Sequence, residues 1–212
     1  MIRRPTSCLV AAIALAACGP RQAPAQVAPV ADTAQAGLLP KGFGILSQDF
    51  LTLGMRSVTL EIQLVPLDER VLRLLAPDAY EGLSRIQGRY RAQIDSIAMR
   101  AGVREPGVAL VTFFGRAPNT RFDPLLLSMV QRNRLFRPIG FVPMSARFTA
   151  QVLDTREQAG ALVIFEVPFP VFEPFSFSYL EATTDDWERK VPRIETERAR
   201  ILSRARPAGT ER

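Results

Sequence analysis

The sequence predicts an α+β fold whose main element is an antiparallel β-sandwich, with one long helix after the first strand and a C-terminal helix. Short apolar segments recur between turn residues, which is typical of the strands of a sandwich. Two longer stretches instead repeat apolar residues at helical spacing. With 212 residues, 47% of them hydrophobic, the chain suits one folded domain with appendages rather than two domains.

The amino-terminal residues have the pattern of an export signal. Arg3 and Arg4 precede an uncharged apolar stretch over residues 9–17, which is too short to span a bilayer. We therefore expect residues 1–17 to be a signal peptide. The stretch ends in Leu15-Ala16-Ala17-Cys18, which resembles the lipobox of bacterial lipoproteins.

The lipobox resemblance implies cleavage before Cys18, a lipid on its sulfur and retention in the bacterial cell envelope. Each buried methylene of an acyl chain contributes about 0.8 kcal/mol, so several chains together hold a protein on a membrane. In such lipoproteins an aspartate after the cysteine favours the inner membrane. Gly19 occupies that position here, which implies the outer membrane. The alternative is an ordinary secretory signal with an incidental cysteine.

Composition divides the remainder of the chain into three parts. Residues 18–42, which comprise the lipidated Cys18 and an Ala/Pro-rich linker, contain no aromatic residue and cannot bury enough surface to fold. A β-sandwich-like domain with an inserted helix is predicted at 43–182. A C-terminal helix and a basic tail follow at 183–212.

Six segments are predicted as strands. The clearest covers residues 58–66, where apolar residues from Val58 to Leu64 alternate with polar ones, as in a half-buried strand. The later strands are predicted at 108–114, 125–130, 146–153, 161–167 and 175–180.

Three helices are predicted from their starts and their apolar repeats. Asp68 is placed to cap a short helix that runs to Leu75. The long helix is predicted over 78–101, because an Asp-x-x-Glu capping box opens it and Gly102 follows it. The last helix begins in the acidic stretch 185–188, since acids favour the positive end of the helix dipole.

The residue types that are missing restrict the chemistry. The chain contains no histidine, and its two cysteines leave with the signal (Cys8) or receive the lipid (Cys18). Histidine-dependent nucleophilic catalysis, imidazole metal sites and thiol chemistry are therefore excluded from the mature domain. No phosphate-binding loop motif occurs either. We expect no cofactor, no metal site and no enzymatic activity.

The charge of the chain is unevenly distributed. The net charge is +6, yet residues 43–188 contain fifteen arginines against seventeen acids, and residues 189–212 contain eight basic residues against three acids. A near-neutral body with a basic tail does not predict a nucleic-acid groove. The expected partners are the membrane, through the lipid, and an envelope protein or an anionic polymer.

Two surfaces are candidate binding sites. Arg132, Arg134 and Arg137 surround a predicted turn and suit phosphate or carboxylate groups, although a solvated hairpin end has the same pattern. Phe169 and Phe172 lie between prolines, which places them in a loop or at an edge. These two rings form a contact site if they are exposed and close the end of the sandwich if they are buried.

Part of the body resembles small immunoglobulin-like domains of uncharacterised bacterial lipoproteins. The resemblance runs from Arg121-Phe122 to Ala161-Leu162-Val163-Ile164-Phe165-Glu166-Val167-Pro168, where a strand ending in Phe-Glu-Val-Pro follows a glycine-containing turn. It implies an immunoglobulin-like sandwich and no catalytic residue, although the long helix departs from a plain seven-stranded sandwich. We therefore expect a non-catalytic lipoprotein with a structural or binding role.

Two other functions remain open. An acid-only hydrolase of wall glycans requires only two carboxyl groups, but such residues also favour caps and turns. The candidate pairs are Asp68 with Glu69, Asp154 with Glu157, and Asp185 with Asp186. A carrier of an acyl chain or another apolar ligand requires a cavity of at least about 300 Å³.

Overall fold

The computed structural model describes residues 38–205. The predicted signal peptide, the lipidation site Cys18, most of the linker and the tail from residue 206 lie outside the described residues. The described part forms eleven β-strands and six α-helices. The prediction of an α+β fold with antiparallel sheets and a C-terminal helix is confirmed.

The strands and helices are as follows in chain order. The strands are β1 (Leu53–Arg56), β2 (Leu60–Pro66), β3 (Gly107–Gly115), β4 (Thr120–Arg121), β5 (Leu127–Gln131), β6 (Arg134–Phe136), β7 (Pro138–Pro143), β8 (Val152–Leu153), β9 (Gln158–Phe165), β10 (Ser176–Tyr179) and β11 (Ala182–Thr184). The helices are α1 (Gln48–Leu51), α2 (Glu69–Leu72), α3 (Pro77–Arg89), α4 (Arg91–Arg100), α5 (Ala146–Ala150) and α6 (Asp186–Ala205). A single 3₁₀ turn, Pro124–Leu126, precedes β5.

Two antiparallel sheets contain most of the strands. The five-stranded sheet has the order β1-β2-β3-β9-β7, and the four-stranded sheet has the order β11-β10-β5-β6. Strands β4 and β8 form a separate pair. Residues 161–165 of β9 are all buried, so both faces of the five-stranded sheet are covered at this strand.

Aromatic side chains join the inner faces of the two sheets. The ring of Phe113 in β3 lies 5.8 Å from that of Tyr179 in β10, measured between centroids. Phe165 in β9 lies 5.8 Å from Phe177 in β10. Phe148 of α5 inserts beside Phe113 at 5.9 Å. These tilted and edge-on contacts form the centre of the core between the sheets.

Helix α4 packs on the outer face of the five-stranded sheet, where Ile97 lies against Gly140 of β7. The predicted single helix over 78–101 is wrong, because α3 and α4 are separate helices. The chain leaves helical geometry at Tyr90, where φ is −103° and ψ is 9°. Gly88, a weak helix former, lies two residues before this bend. The pair follows the second strand rather than the first, and Pro77 rather than a capping box opens α3.

The predicted strand over 146–153 is also wrong. Its first five residues form α5, which Gln151 ends with a left-handed φ of 53°. Phe148 is the only buried residue of α5, so the alternation of apolar and polar residues in this segment does not correspond to one buried face of a strand. The other five predicted strands correspond to β2, β3, β5, β9 and β10, with ends displaced by up to three residues.

The segment before β1 is fastened to the last helix. The Glu197 carboxylate, which is 2% exposed, accepts a hydrogen bond from the N–H of Ile45 at 3.1 Å and pairs with Arg200. Arg200 also donates to the carbonyl of Phe43 at 2.5 Å. We call these contacts the entry clamp. Hydrogen bonds from Arg200 lower the pKa of the Glu197 carboxyl below its ordinary value.

Backbone contacts hold the same segment on its other side. Leu39 is buried, and its carbonyl accepts a hydrogen bond from Arg73 at 2.7 Å. The N–H of Leu46 donates to the carbonyl of Leu74 at 3.0 Å. Gly44 lies so close to the backbone at Leu74 that a Cβ atom would overlap it. The packed body therefore includes Leu39, which lies inside the segment predicted as linker.

We expect the substitution Gly44→Ala to destabilise the protein by about 1 to 3 kcal/mol, because the added methyl group meets backbone atoms that have no side-chain freedom. The free energy of unfolding in urea measures the effect. Gly54→Ala is the control, since the corresponding Cβ in β1 meets no atom within 4 Å. Equal stability of the two variants would contradict the close approach.

We expect Glu197→Gln to lower the free energy of unfolding by about 1 to 3 kcal/mol at neutral pH, because a charge-assisted hydrogen bond is lost. The folded-state pKa lies below the unfolded one, so this stabilisation is present near neutral pH and disappears as the pH falls through the folded pKa. The free energy of unfolding of the variant and of the wild type is measured in urea at pH 7, where the carboxyl is ionised, and at about pH 3, below its unfolded-state pKa.

The control for this measurement is Glu195→Gln on the same helix. Glu195 is exposed, and its distance to Arg198 is 3.9 Å, so its replacement should change stability little. A loss for Glu197→Gln that is equally large in acid, or a matching loss for the control, would refute the clamp.

Candidate functional site

Five of the six acids in the three candidate pairs are engaged in structural contacts. Asp68 accepts a hydrogen bond from the N–H of Arg70 at 2.9 Å and caps α2 as predicted, and Glu69 pairs with Arg73 at 2.8 Å. The other acids have similar partners, which are the N–H of Asn119 for Asp154, Arg147 for Glu157, and Arg189 for Asp186. Asp68 follows β2 and Asp154 precedes β9, at opposite ends of the five-stranded sheet. The Asp68/Glu69 and Asp154/Glu157 pairs thus do not share a cleft.

The three candidate arginines lie on and beside the β5–β6 hairpin. Arg132 and Asn133 form its two-residue turn with φ values of 48° and 61°, as in a type I′ turn. Arg132 pairs with Glu173 at 2.7 Å. Arg134 lies over an aromatic ring of its own strand, while Arg137 is exposed. The hairpin therefore does not present three unoccupied guanidinium groups together.

The two candidate phenylalanines occupy different environments. Phe169 is 1% exposed and packs against Phe165 with 5.5 Å between ring centroids. Phe172 is half-buried between the guanidinium groups of Arg70 and Arg198, which lie 5.8 Å and 4.6 Å from its ring centroid. Phe169 is therefore a core residue, and Phe172 is held by cation–π contacts.

Residues 38–205 contain neither a metal-binding cluster nor a membrane-spanning helix. No group of three or more acidic or cysteine side chains within 38–205 is arranged to hold a metal ion. In the same range, no helix is both long and apolar enough to cross a membrane. The lipidation site Cys18 lies outside this range.

The strongest binding feature is a groove of about 550 Å³ between α4 and β7. We call it the edge-strand groove. Its helix side is formed mainly by Tyr90, Gln93, Ser96, Ile97 and Arg100, and its strand side by residues 141–143. It is open to solvent along its length. Apolar atoms form most of its surface.

The packing of α4 places this groove at the rim of the sheet. Gly140 of β7 lets α4 approach closely, since a Cβ there would lie 2.8 Å from the Cγ2 atom of Ile97. Arg91, Asp95 and Met99 line a separate groove together with Val108 of β3, and therefore lie on the side of α4 nearer to the interior strands. The opposite side of α4 contains Ser96 and Arg100, which lie next to the free edge of β7.

Strand β7 leaves backbone groups unpaired at this edge. Met144 donates to the carbonyl of Gly160 at 2.9 Å, which fixes the alternation of hydrogen-bonded residues along β7 and β9. Val142 is bonded to β9, whereas the N–H and C=O of Phe141 and the C=O of Pro143 point outward. Within residues 38–205 these three groups have no hydrogen-bond partner.

The charged lining of the edge-strand groove is positive. Arg100 is exposed and makes no ion pair with any described residue, and no acidic residue lines the groove. The groove formed by Arg91 and its neighbours contains two arginines and two acids, so its charges cancel. An anion therefore has an uncompensated positive partner in the edge-strand groove.

A groove of about 500 Å³ at the end of the four-stranded sheet is a weaker candidate. The hydroxyl of Tyr179 accepts a hydrogen bond from the N–H of Asp123 at 3.0 Å, and burial raises the pKa of Tyr179. Leu126 and Leu180 lie exposed at the rim. Its single arginine and single acid, Arg121 and Asp123, give no net charge to select a ligand.

The edge-strand groove has no clear signal in the amino-acid sequence. Residues 138–143 have a proline at each end and a glycine between them, so they do not resemble a strand. Arg100 looks like any exposed arginine at a helix end. Comparison of the chain with protein-family models, curated proteins and solved structures finds no match.

Proposed function

We propose that this protein is a lipid-anchored lipoprotein of the bacterial cell envelope, held at the outer membrane through Cys18, whose folded body binds another envelope component. The anchor rests on the sequence Leu15-Ala16-Ala17-Cys18 after a charged start and an apolar core. The binding role rests on the edge-strand groove, where backbone groups of β7 without a described partner lie beside the guanidinium of Arg100, which forms no ion pair within residues 38–205.

A non-catalytic role is part of the proposal. The carboxylates that suit glycan hydrolysis cap helices or pair with arginines, which raises the cost of using them as acid and base. An apolar carrier is less favoured, because the grooves of the described part are open rather than enclosed.

An immunoglobulin-like arrangement also belongs to the proposal. The aromatic contacts between two antiparallel sheets support it, although the α3–α4 pair is foreign to a plain seven-stranded sandwich.

The anchor is tested by Cys18→Ser in bacterial cells supplied with a labelled fatty acid. We expect the variant to lose the label, because the serine hydroxyl does not replace the thiolate as acceptor. The wild-type chain should take up the label and sediment with membranes. Membrane fractionation alone is insufficient, since an uncleaved signal core also retains a chain in the membrane.

Cys8→Ser is the matched control, since Cys8 lies within the predicted signal peptide and is removed with it. This variant should be labelled like the wild type. Normal labelling of Cys18→Ser, or equal loss from both variants, would overturn the assignment of the anchor.

A further inference from the structure

We propose that the edge-strand groove binds an extended polypeptide segment carrying a carboxylate, which adds to the five-stranded sheet as a short strand beside β7. This inference rests on the binding role proposed above and specifies the class of partner. It is independent of the lipid anchor, because every residue that it uses lies in the folded body.

The backbone groups of β7 determine the shape of the partner. The N–H and C=O of Phe141 and the C=O of Pro143 face the groove and are spaced as in the ladder of an antiparallel sheet. The main chain of an extended peptide offers complementary groups at the same spacing. An acyl chain would cover these polar groups without bonding to them, which costs free energy. The groove therefore favours a peptide over a fatty acid.

The helix opposite β7 supplies the specificity. Ile97 and Tyr90 are half-buried and offer apolar contact to every second side chain of an added strand. Arg100 is the only charged residue that lines the groove in the described part of the chain. Its guanidinium suits an acidic side chain or a terminal carboxylate of the bound segment.

The prolines of β7 limit the length of the partner. Pro138 and Pro143 lack an N–H group, so neither residue can donate a hydrogen bond to an added strand at the ends of β7. A register shift at Ile139 further interrupts the strand. The added strand is thus confined to a few residues around Phe141. The same prolines protect the edge from open-ended pairing with long strands of other proteins.

The test uses the full chain purified in detergent micelles, which do not require a lipid anchor, and an immobilised library of random hexapeptides. We expect retained peptides to contain apolar residues at alternate positions and a carboxylate. A selected peptide should slow hydrogen exchange of the Phe141 amide by at least about tenfold, because that N–H gains a partner only if a strand is added. Failure to retain any peptide, or retention without protection of Phe141, would overturn the proposal.

Two pairs of variants locate the binding. Arg100→Glu should weaken binding of the selected peptide by at least about tenfold, whereas Arg89→Glu, an equal charge change at the exposed end of α3, should not. Ser96→Trp should block the groove, whereas Met99→Trp on the other side of α4 should leave binding intact. Equal effects within either pair would refute the assignment.

Oleate is added in a parallel measurement. Binding of oleate, together with the absence of any bound peptide, would replace the inference with an apolar-carrier function. Peptide capture by a chain that fails the Cys18 labelling test would leave the groove in place and remove only the anchor. The two proposals therefore fail separately.

Discussion

Burial of both faces of β9 is the constraint on which the rest of the fold depends. Its run Ala161–Phe165 places apolar side chains alternately on each face, and each large one gains about 1.5 to 3 kcal/mol from leaving water. One face therefore requires the four-stranded sheet, which meets it through Phe177. The other face requires a helix, which α4 supplies. The layers of the molecule follow from this strand.

The sequence revealed those elements whose local pattern agrees with their final environment. The alternation in β2, the unbroken apolar run of β9 and the stripe of α6 each persist over several residues, and all three were predicted. The strand predicted over residues 146–153 was wrong because tertiary contacts place Phe148 in an aromatic cluster, and a local pattern contains no information on such contacts. The bend at Tyr90 was not predicted because the helical spacing of apolar residues continues across it, so the local pattern indicates one unbroken helix.

The candidate site was harder to predict than the fold, because it consists of what neighbouring elements leave unused. The hairpin at Arg132 could be placed from its turn residues, but its pairing with Glu173 joins segments far apart in the chain. The groove beside β7 depends on the position of β7 in the sheet order, which no local pattern encodes. Gly140 is the only local trace of it, as the point where α4 approaches the strand closely.

The entry clamp also affects the order in which the molecule is completed. It joins Ile45 to Glu197, 152 positions later, so this contact forms only after almost all the remainder of the body exists. A nascent chain that ends before α6 has the sheets but lacks the groups that hold Phe43 and Ile45. Loss of the last helix by proteolysis would therefore release Phe43 and Ile45 from the clamp, while Leu39 and Leu46 keep their bonds to Arg73 and Leu74.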